Sequence, residues 1–363
     1  MQEGITMSEN RNVILSAKDV EVQFRVRDHY LTAIRNISLD LYEGETFAIV
    51  GESGSGKSVF TKTFTGMLES NGKISNGSVM FHGKDLTKLK TDKDWEGIRG
   101  AKISTIFQDP MTSLNPIRTI GSQITEVVEK HQGVSKAEAK KQAIEIMERV
   151  GIKDAANRFD EYPFQYSGGM RQRIVIAIAL SCHPEILICD EPTTALDVTI
   201  QAQILQLIRD LQKELGFTTL YITHDLGVVA NVADRVGVMY GGQIIEYGSV
   251  EEIFFDPRHP YTWALLSSLP QLGVKGQDLY YITGTPPSLY NKIKGDAFAP
   301  RNEHALKIDF QQEPPFFKVS DTHYAKTWLL DPRAPKLEKP EVIRDLHEKI
   351  KKMTDKGGAF HVE

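Results

Sequence analysis

A glycine-rich stretch near the N-terminus, "GESGSGKS", fits the phosphate-loop pattern G-x-x-x-x-G-K-[ST] at every fixed position. It follows the apolar run "TFAIV" and precedes "VFTKTFTGML", which is typical of a helix. Strand, loop and helix in this order are the context that the pattern requires. The glycines let successive backbone N–H groups surround phosphate oxygens, and the helix N-terminus adds partial positive charge. The stretch predicts a phosphate-binding loop formed by Gly51, Glu52, Ser53, Gly54, Ser55, Gly56, Lys57 and Ser58.

Two side chains of this loop have their own expected roles. Lys57 is predicted to contact the β- and γ-phosphates, and the hydroxyl of Ser58 is predicted to bind Mg²⁺. The alternative is a glycine-rich turn that binds nothing. The order of strand, loop and helix argues against that alternative.

An acidic pair, Asp190 and Glu191, ends the apolar run "ILIC". Carboxylates at the end of a buried strand are unfavourable unless a cation or a protonatable substrate lies nearby. We expect Asp190 on the Mg²⁺ side and Glu191 as the general base for the water that attacks the γ-phosphate. A strand that runs into a surface turn would leave the same pattern, but a preceding phosphate loop strengthens the functional interpretation.

Two polar residues follow other predicted strands. Gln108 comes after "ISTIF", and its amide could reach both a metal-bound water and a neighbouring group. His224 follows "TLYIT", and a side chain at the C-terminal end of a parallel strand points toward the ligand crevice. A lone histidine is often a structural hydrogen-bonding residue. Its place behind a further strand of the same sheet favours a γ-phosphate contact.

The stretch "YSGGMRQR" contains a second set of glycines, directly before the apolar run "IVIAIAL". Ser167, Gly168 and Gly169 are predicted to begin a helix whose free N–H groups could bind an anion. The chain has only one phosphate-loop match, so we expect these residues to close over a nucleotide held by another subunit. The glycines would then let a triphosphate reach the backbone. The alternative is a tight helix start that packs on its own domain.

The elements that must position these residues alternate between strands and helices. Strands are predicted at "VEVQF", "ISLDL", "TFAIV", "ISTIF", "EILIC" and "TTLYIT". Helical patterns lie between them: one begins with a capping box from Ser135 to Glu138, and another runs from Thr199 to Gly216. This alternation predicts α/β architecture with a mostly parallel sheet, and "VGVMYGGQIIEYG" predicts an antiparallel hairpin.

The last part of the chain differs in character. Beyond about residue 270 the prolines cluster and periodicity fades, before a charged helical pattern at "PEVIRDLHEKIKKM". We interpret residues 271–363 as an accessory C-terminal extension.

Composition excludes several classes of protein. The 363 residues carry a net charge of −5 and the sequence pI is near 6.1, which argues against a nucleic-acid-binding protein. With only Cys182 and Cys189, a disulfide framework is excluded and a reducing compartment is indicated. The N-terminus lacks an apolar signal core, and the longest apolar run, Ile174 to Leu180, is far shorter than the ~20 residues that span a bilayer.

Taken together, these motifs resemble the nucleotide-binding subunits of ABC transporters. The order of "GESGSGKS", Gln108, "YSGGM", "ILICDE", "ALD" and His224 matches that family. "FQDPMTSLNP", "DEPTTALDVTIQAQIL", "THDLGVVA" and "DPRHPYTWALLSSLP" resemble its oligopeptide and dipeptide importer branch. Within the branch the chain is similar to the first of two paired ATPases in streptococcal-type oligopeptide importers. The resemblance is dense from Val13 to Pro270 and thin beyond.

The resemblance implies a P-loop NTPase of the ABC cassette fold. The cassette would span residues 1–270, with an antiparallel β subdomain, a helical subdomain at about 110–170, and the extension after it. It also implies a head-to-tail dimer in which each phosphate loop faces the other subunit's signature, Ser167 to Gly169. Asp197 would lie at the dimer seam, Gln108 would sense the membrane subunit, and Gln108 would join Ser58 and Asp190 around Mg²⁺. Phe24 is the ring expected to stack on adenine, with Tyr30 as the alternative.

The sequence departs from the general family pattern in two ways. The usual signature is Leu-Ser-Gly-Gly-Gln, whereas Tyr166 and Met170 flank the shared Ser-Gly-Gly here, as is common in peptide-importer ATPases. Some relatives also place cysteines around a segment like "GDAFAPRN" and bind an iron–sulfur cluster there. No cysteine follows Cys189, so we expect ATP and Mg²⁺ as cofactors and no iron–sulfur cluster.

The function implied is ATP hydrolysis that powers an oligopeptide importer. Expected partners are a paralogous ATPase, two transmembrane permease subunits and, indirectly, an extracellular peptide-binding protein, with no nucleic acid. The expected location is the cytoplasmic face of a bacterial cell membrane. Two alternatives are a soluble ABC ATPase that acts on nucleic acid or ribosomes, and a P-loop GTPase or kinase. The first would usually carry tandem cassettes or basic arms, and the second would leave "YSGGM" unexplained.

Overall fold

The elements predicted around the phosphate loop are present in the computed structural model, which describes residues 11–108, 110–194, 196–268, 282–290, 293–340 and 343–344. The strands in these residues are β1 (Val13–Val26), β2 (His29–Tyr42), β3 (Thr46–Val50), β4 (Gly72–Phe81), β5 (Lys84–Asp85), β6 (Ile103–Ile106), β7 (Ile186–Asp190), β8 (Thr218–Thr223), β9 (Arg235–Tyr240), β10 (Gln243–Ser249), β11 (Phe317–Lys318) and β12 (Tyr324–Ala325). The α-helices are α1 (Lys57–Lys62), α2 (Asp92–Trp95), α3 (Pro110–Ser113), α4 (Ile120–Gln132), α5 (Lys136–Arg149), α6 (Ala155–Arg158), α7 (Gly168–Leu180), α8 (Val198–Leu215), α9 (Leu226–Val232), α10 (Val250–Phe255) and α11 (Pro260–Ser267).

A central sheet with the strand order β11-β12-β10-β9-β3-β8-β7-β6 carries the fold. Five adjacent strands, from β9 to β6, run parallel, and β10 joins them through the antiparallel hairpin with β9. Every residue of β3 is buried, because alternate side chains pack into different hydrophobic clusters on the two faces. The predicted parallel sheet and hairpin are confirmed.

A smaller antiparallel sheet, in the order β2-β1-β4-β5, covers one face of the central sheet. Its inward residues, such as Val22, Ile34 and Val79, pack in one cluster with Phe47 and Ile49 of β3. Helices including α4, α5, α7 and α8 cover the opposite face, where Ala48 and Val50 point. The result is three layers, with the site-bearing strands in the middle.

Two predicted helix boundaries differ slightly from the structure. Ser135 accepts a hydrogen bond from the backbone N–H of Glu138 at 3.3 Å, but the Glu138 carboxylate accepts from Gln142 at 3.4 Å. Only the first half of the predicted capping box is therefore present. Helix α8 begins one residue before the predicted Thr199, because Asp197 caps it by accepting from the N–H of Ile200 at 3.0 Å.

Strands β11 and β12, in the segment predicted to be a C-terminal extension, pack directly on earlier strands of the chain. β12 pairs with β10, and β11 pairs with β12, so residues of the extension continue the central sheet. Of the charged helical pattern at residues 340–353, only residues 340, 343 and 344 belong to the described part of the chain. None of the helices in the described residues has the length and apolarity needed to cross a bilayer.

Candidate nucleotide site

The predicted site residues follow four neighbouring strands at the same edge of the central sheet. The phosphate loop follows β3, Gln108 comes just after β6, Asp190 ends β7, and His224 comes directly after β8. These strands are parallel, so their C-terminal ends point the same way. This edge is where α/β sheets bind ligands.

The phosphate loop turns sharply into α1. Gly56, the residue before the helix, has φ of 103°, and a Cβ there would come within 2.8 Å of Ile34 Cδ1. Glycine is therefore required both by the backbone conformation and by the close neighbour. The loop therefore joins directly to the start of α1 at Lys57.

Lys57 points into the loop it follows. Its Nζ donates hydrogen bonds to the backbone carbonyls of Gly51 at 2.8 Å and Glu52 at 3.0 Å. Burial lowers the pKa of Lys57, while the carboxylates of Glu191, Asp190 and Glu52 act in the opposite direction. Within the same loop, Ser55 Oγ is buried and has no hydrogen-bond partner among the residues that the structure describes. A buried cation and an orphaned hydroxyl in one loop fit the binding of an anion.

Ser58 and Asp190 form the oxygen pair that the sequence predicts for a metal. Ser58 Oγ donates to Asp190 Oδ1 at 3.0 Å. Burial raises the pKa of Asp190, the hydrogen bond from Ser58 lowers it, and the adjacent charge of Glu191 raises it further. A divalent cation would reverse that rise. A hydroxyl beside a carboxylate also supplies the hard oxygen ligands that Mg²⁺ prefers.

Glu191 is the point at which three of the strand ends meet. Its Oε2 accepts from Gln108 Nε2 at 2.8 Å and from Thr194 Oγ1 at 3.1 Å, and its Oε1 lies 3.1 Å from His224 Nδ1. Glu191 has φ of 49°, in the left-handed region that non-glycine residues seldom adopt. Backbone strain of this kind concentrates at functional sites.

The signature residues lie at the start of α7. Ser167 caps the helix by accepting from the N–H of Met170 at 3.4 Å, and both Ser167 and Gly168 are exposed. A Cβ on Gly168 would meet no atom of the described part of the chain within 4 Å, whereas a Cβ on Gly169 would lie 2.8 Å from Ile200 Cγ2. Packing within this chain therefore gives Gly169 a structural reason, in line with the alternative of a helix start that packs on its own domain, and its contact with a nucleotide stays a prediction. No neighbour in the described residues gives Gly168 a similar reason.

The remaining predicted residues lie on three different elements. Asp197 is exposed and caps α8. Phe24 is half-buried, with its ring packed where a side chain on Gly72 would otherwise lie. Tyr30 is 52% exposed near the turn between β1 and β2, with Lys73 Nζ 4.5 Å from its ring centroid. The identity of the adenine-stacking ring stays a prediction.

Two contacts to the loop come from the C-terminal side of the chain and were not predicted. Tyr261 Oη of α11 accepts from the N–H of Glu52 at 2.8 Å. Arg301 of the extension pairs with the Glu52 carboxylate, with Nη1 2.8 Å from Oε2. Neither residue belongs to a phosphate-binding motif, and the only signal in the sequence was their position in an aromatic, proline-rich segment.

A further contact joins the signature helix to the acidic pair. The fully buried side chain of Gln172 donates through Nε2 to the carbonyl of Pro192 at 2.5 Å. Pro192 directly follows Glu191, so this hydrogen bond fixes α7 against the loop that carries the candidate base.

Comparison with known proteins is consistent with this arrangement. A family model described as ABC transporter matches residues 34–194, and a model described as oligopeptide/dipeptide transporter, C-terminal region, matches residues 245–308. The chain is 68% identical to the oligopeptide transport ATP-binding protein AmiE of Streptococcus pneumoniae serotype 4, over 98% of this chain and 99% of that protein. It is 56% identical to the oligopeptide transport ATP-binding protein OppD of Bacillus subtilis, over 93% of this chain and 94% of that protein.

A solved structure supports the fold. It is the dimeric structure of an ATP-binding cassette in a post-hydrolysis state, bound to ADP and Pi. It matches with a TM-score of 0.57 and 29% identity, over 65% of this chain and 98% of that one. The chain therefore belongs to the ABC transporter family, among the ATP-binding proteins of its oligopeptide and dipeptide transport branch.

Proposed function

We propose that this chain binds and hydrolyses ATP to power an importer of oligopeptides. The observation that carries the proposal is the set of side chains around Glu191. Gln108 and His224 hold its carboxylate from the ends of β6 and β8, the strands on either side of β7. The Ser58–Asp190 pair and the inward-pointing Lys57 belong to the same edge of the sheet.

Each side chain has a definite task in this proposal. Glu191 accepts a proton from the water that attacks the γ-phosphorus, while the bond to the oxygen bridging the β- and γ-phosphates breaks and ADP leaves. The hydrogen bonds from Gln108 and His224 orient the Glu191 carboxylate. Lys57, held in the loop, stabilises the negative charge of the transferred phosphoryl group.

The oxygen donors fit Mg²⁺, and we propose Ser58, Asp190 and Gln108 as the groups that hold it. When bound, the ion supplies positive charge that neutralises the phosphate oxygens. Phe24 is proposed to stack on adenine, and residues 51–58 to hold the phosphates.

The catalytic pocket is proposed to be shared between two subunits. Ser167 and Gly168 are exposed at the N-terminus of α7, where free N–H groups can bind an anion from another chain. Gly169 shapes the start of that helix, and the exposed Asp197 at the start of α8 completes the seam. We propose a paralogous ATPase subunit as the partner, in head-to-tail orientation.

The remaining partners follow from the names of the relatives, which are oligopeptide transport ATP-binding proteins. We propose that residues 1–270 form the cassette and that residues 271–363 form the extension. The cassette would dock on two transmembrane permease subunits at the cytoplasmic face of the cell membrane, with an extracellular peptide-binding protein delivering the substrate. No nucleic-acid partner is proposed, because the net charge is −5.

Reconstitution of the intact complex tests this function. The chain is purified from its native membrane with whatever accompanies it, placed in vesicles, and supplied with labelled oligopeptides and ATP. We expect co-purification of two hydrophobic subunits, and peptide uptake that requires ATP and stimulates its hydrolysis. Co-purification with ribosomes or nucleic acid, or uptake that is independent of ATP, would refute the proposal.

A further inference from the structure

The side chain of Arg301 links the C-terminal extension to the phosphate loop. It lies in "GDAFAPRN", residues 295–302, and only 6% of the side chain is exposed. Nη1 donates to Glu52 Oε2 at 2.8 Å and to Tyr240 Oη at 3.1 Å. Nε and Nη2 donate to the backbone carbonyls of Thr283 at 2.9 Å and Ile282 at 3.3 Å. One guanidinium therefore ties three separate segments of the chain to the segment that carries Arg301.

The N–H, the carbonyl and the carboxylate of Glu52 each make a contact with another side chain. Its N–H donates to Tyr261 Oη, its carbonyl accepts from Lys57 Nζ, and its carboxylate pairs with Arg301. Tyr261 and Tyr240 also pack against each other and against Phe298, with ring centroids 4.5 to 5.3 Å apart. The first turn of the phosphate loop thus rests on an aromatic cluster, defined here as Tyr240, Tyr261 and Phe298.

The negative charge of Glu52 makes its pairing with Arg301 relevant to nucleotide binding. Glu52 brings a carboxylate into a loop whose expected ligand is a polyphosphate, and it acts on the pKa of Lys57. Two like charges at short range repel strongly where water is partly excluded. Arg301 neutralises the carboxylate and fixes its position, so the loop keeps the positive potential that its N–H groups and Lys57 provide.

We propose that Arg301 is a positioning residue for ATP binding, which acts through Glu52 and makes the extension a working part of the phosphate site. This inference rests on the proposed function, because it concerns the same nucleotide site. It differs from a purely stabilising role for the extension. If Arg301 acts through Glu52, the loss of ATP affinity on replacing Arg301 should depend on the charge of Glu52.

The test is a double-variant cycle on the full-length chain. Arg301→Met, Glu52→Gln and the double variant are titrated with a non-hydrolysable ATP analogue, and the thermal midpoint of each is measured without nucleotide. We expect Arg301→Met to raise the Kd for the analogue about tenfold, as for other coupled charged neighbours. In the Glu52→Gln background the same change should raise the Kd less than about threefold, because no unpaired carboxylate is left.

Two further variants complete the design. Arg301→Lys keeps the positive charge beside Glu52 but loses the guanidinium hydrogen bonds to the carbonyls of Thr283 and Ile282, so it should raise the Kd less than Arg301→Met does, which separates the electrostatic effect from the loss of those hydrogen bonds. Arg333→Met removes another arginine of the extension, one that is 84% exposed and paired with Asp331, and should leave the Kd unchanged.

The outcomes distinguish failure of the role proposed for Arg301 from failure of the proposed ATPase function. An unchanged Kd in Arg301→Met, or an equal rise in both Glu52 backgrounds, would overturn the role of Arg301 while leaving the proposed ATPase intact. Failure of the parent chain to bind the analogue would refute the proposed function itself.

Discussion

The imidazole of His224 lies against the carboxylate of Glu191, with Nδ1 3.1 Å from Oε1. The histidine side chain is 64% exposed, whereas that of Glu191 is only 17% exposed. His224 therefore presents its other ring nitrogen outward while one nitrogen holds the candidate base. This geometry suits a residue that contacts a ligand and reports its presence to Glu191.

The first prediction concerns this contact. His224→Ala should lower kcat for ATP hydrolysis by about 10²-fold, the lower end of the effects of acid–base and positioning groups, because Glu191 loses one of the three side chains that hydrogen-bond its carboxylate. ATP affinity should change less. The measurement is steady-state hydrolysis by the intact complex, with His82→Ala as the matched control, since the exposed His82 pairs with Glu185 just before β7 begins. Hydrolysis at the parental rate would contradict this role.

The second prediction separates Gly168 from its neighbour. Gly168→Asp adds a side chain in open space, and an acidic residue in the first turn of a helix is favourable for the fold. We expect an unchanged thermal midpoint without nucleotide. Hydrolysis should nevertheless fall by at least about 10²-fold, comparable to losing a transition-state anion donor, because a carboxylate would face the phosphates of the partner's nucleotide.

A matched change at Gly169 provides the control for that experiment. Gly169→Ala places a Cβ 2.8 Å from Ile200 Cγ2. Because of this overpacking, its free energy of unfolding should be about 1–3 kcal/mol lower than that of Gly168→Ala, and its thermal midpoint should be lower too. If Gly168→Asp retained full hydrolysis, the proposal of a catalytic pocket shared between two subunits would be wrong.

The third prediction concerns the pH dependence of stability at Asp296. Burial raises the pKa of Asp296 to about 7, the hydrogen bond from Phe298 N–H lowers it, and Asp309 raises it. The positive charges of Lys326 and Arg35 also lower it. His259 Nε2 lies 3.8 Å away, and burial lowers the pKa of His259 to about 3, so this neighbour stays neutral above that pH.

The sign of the effect follows from proton binding. An unfolded aspartate has a pKa near 3.9, so between about pH 4 and pH 7 the folded chain binds more protons here than the unfolded chain. The free energy of unfolding should therefore fall as pH rises through that window, and Asp296→Asn should lack this fall. We expect the stability of the variant relative to the parent to increase from pH 4 to pH 7 by a few kcal/mol, at about 1.4 kcal/mol per pKa unit. Parallel denaturation curves across that range would contradict the assignment.

Much of this site was predictable because its signals are local. The phosphate loop, the acidic pair and the residues after two further strands each follow a short apolar run in the sequence. Once those runs are placed in one parallel sheet, topology alone brings Gln108, Asp190 and His224 to a common edge. The hairpin of β9 and β10 could likewise be predicted from the glycine pair between its strands.

The remaining features depend on contacts between distant segments. The Arg301–Glu52 pair joins residues 249 positions apart, and no periodicity marks Arg301. The pairing of β12 with β10 involves only two residues of each strand, too few to leave an alternating pattern. The left-handed backbone at Glu191 is likewise set by the N–H that bonds to Ile222 at 2.9 Å, a tertiary contact that composition does not encode.

The most direct test of the central claim is the Glu191→Gln variant of the intact complex, assayed for both ATP binding and ATP hydrolysis. The amide keeps the shape of the carboxylate but cannot accept a proton, so hydrolysis should fall by about 10²–10⁴-fold while the Kd for ATP stays within a few-fold of the parent. Glu185→Gln, on the half-buried residue just before β7, should change neither quantity. Near-normal hydrolysis by Glu191→Gln would contradict the assignment of Glu191 as the base, and with it the account of the site.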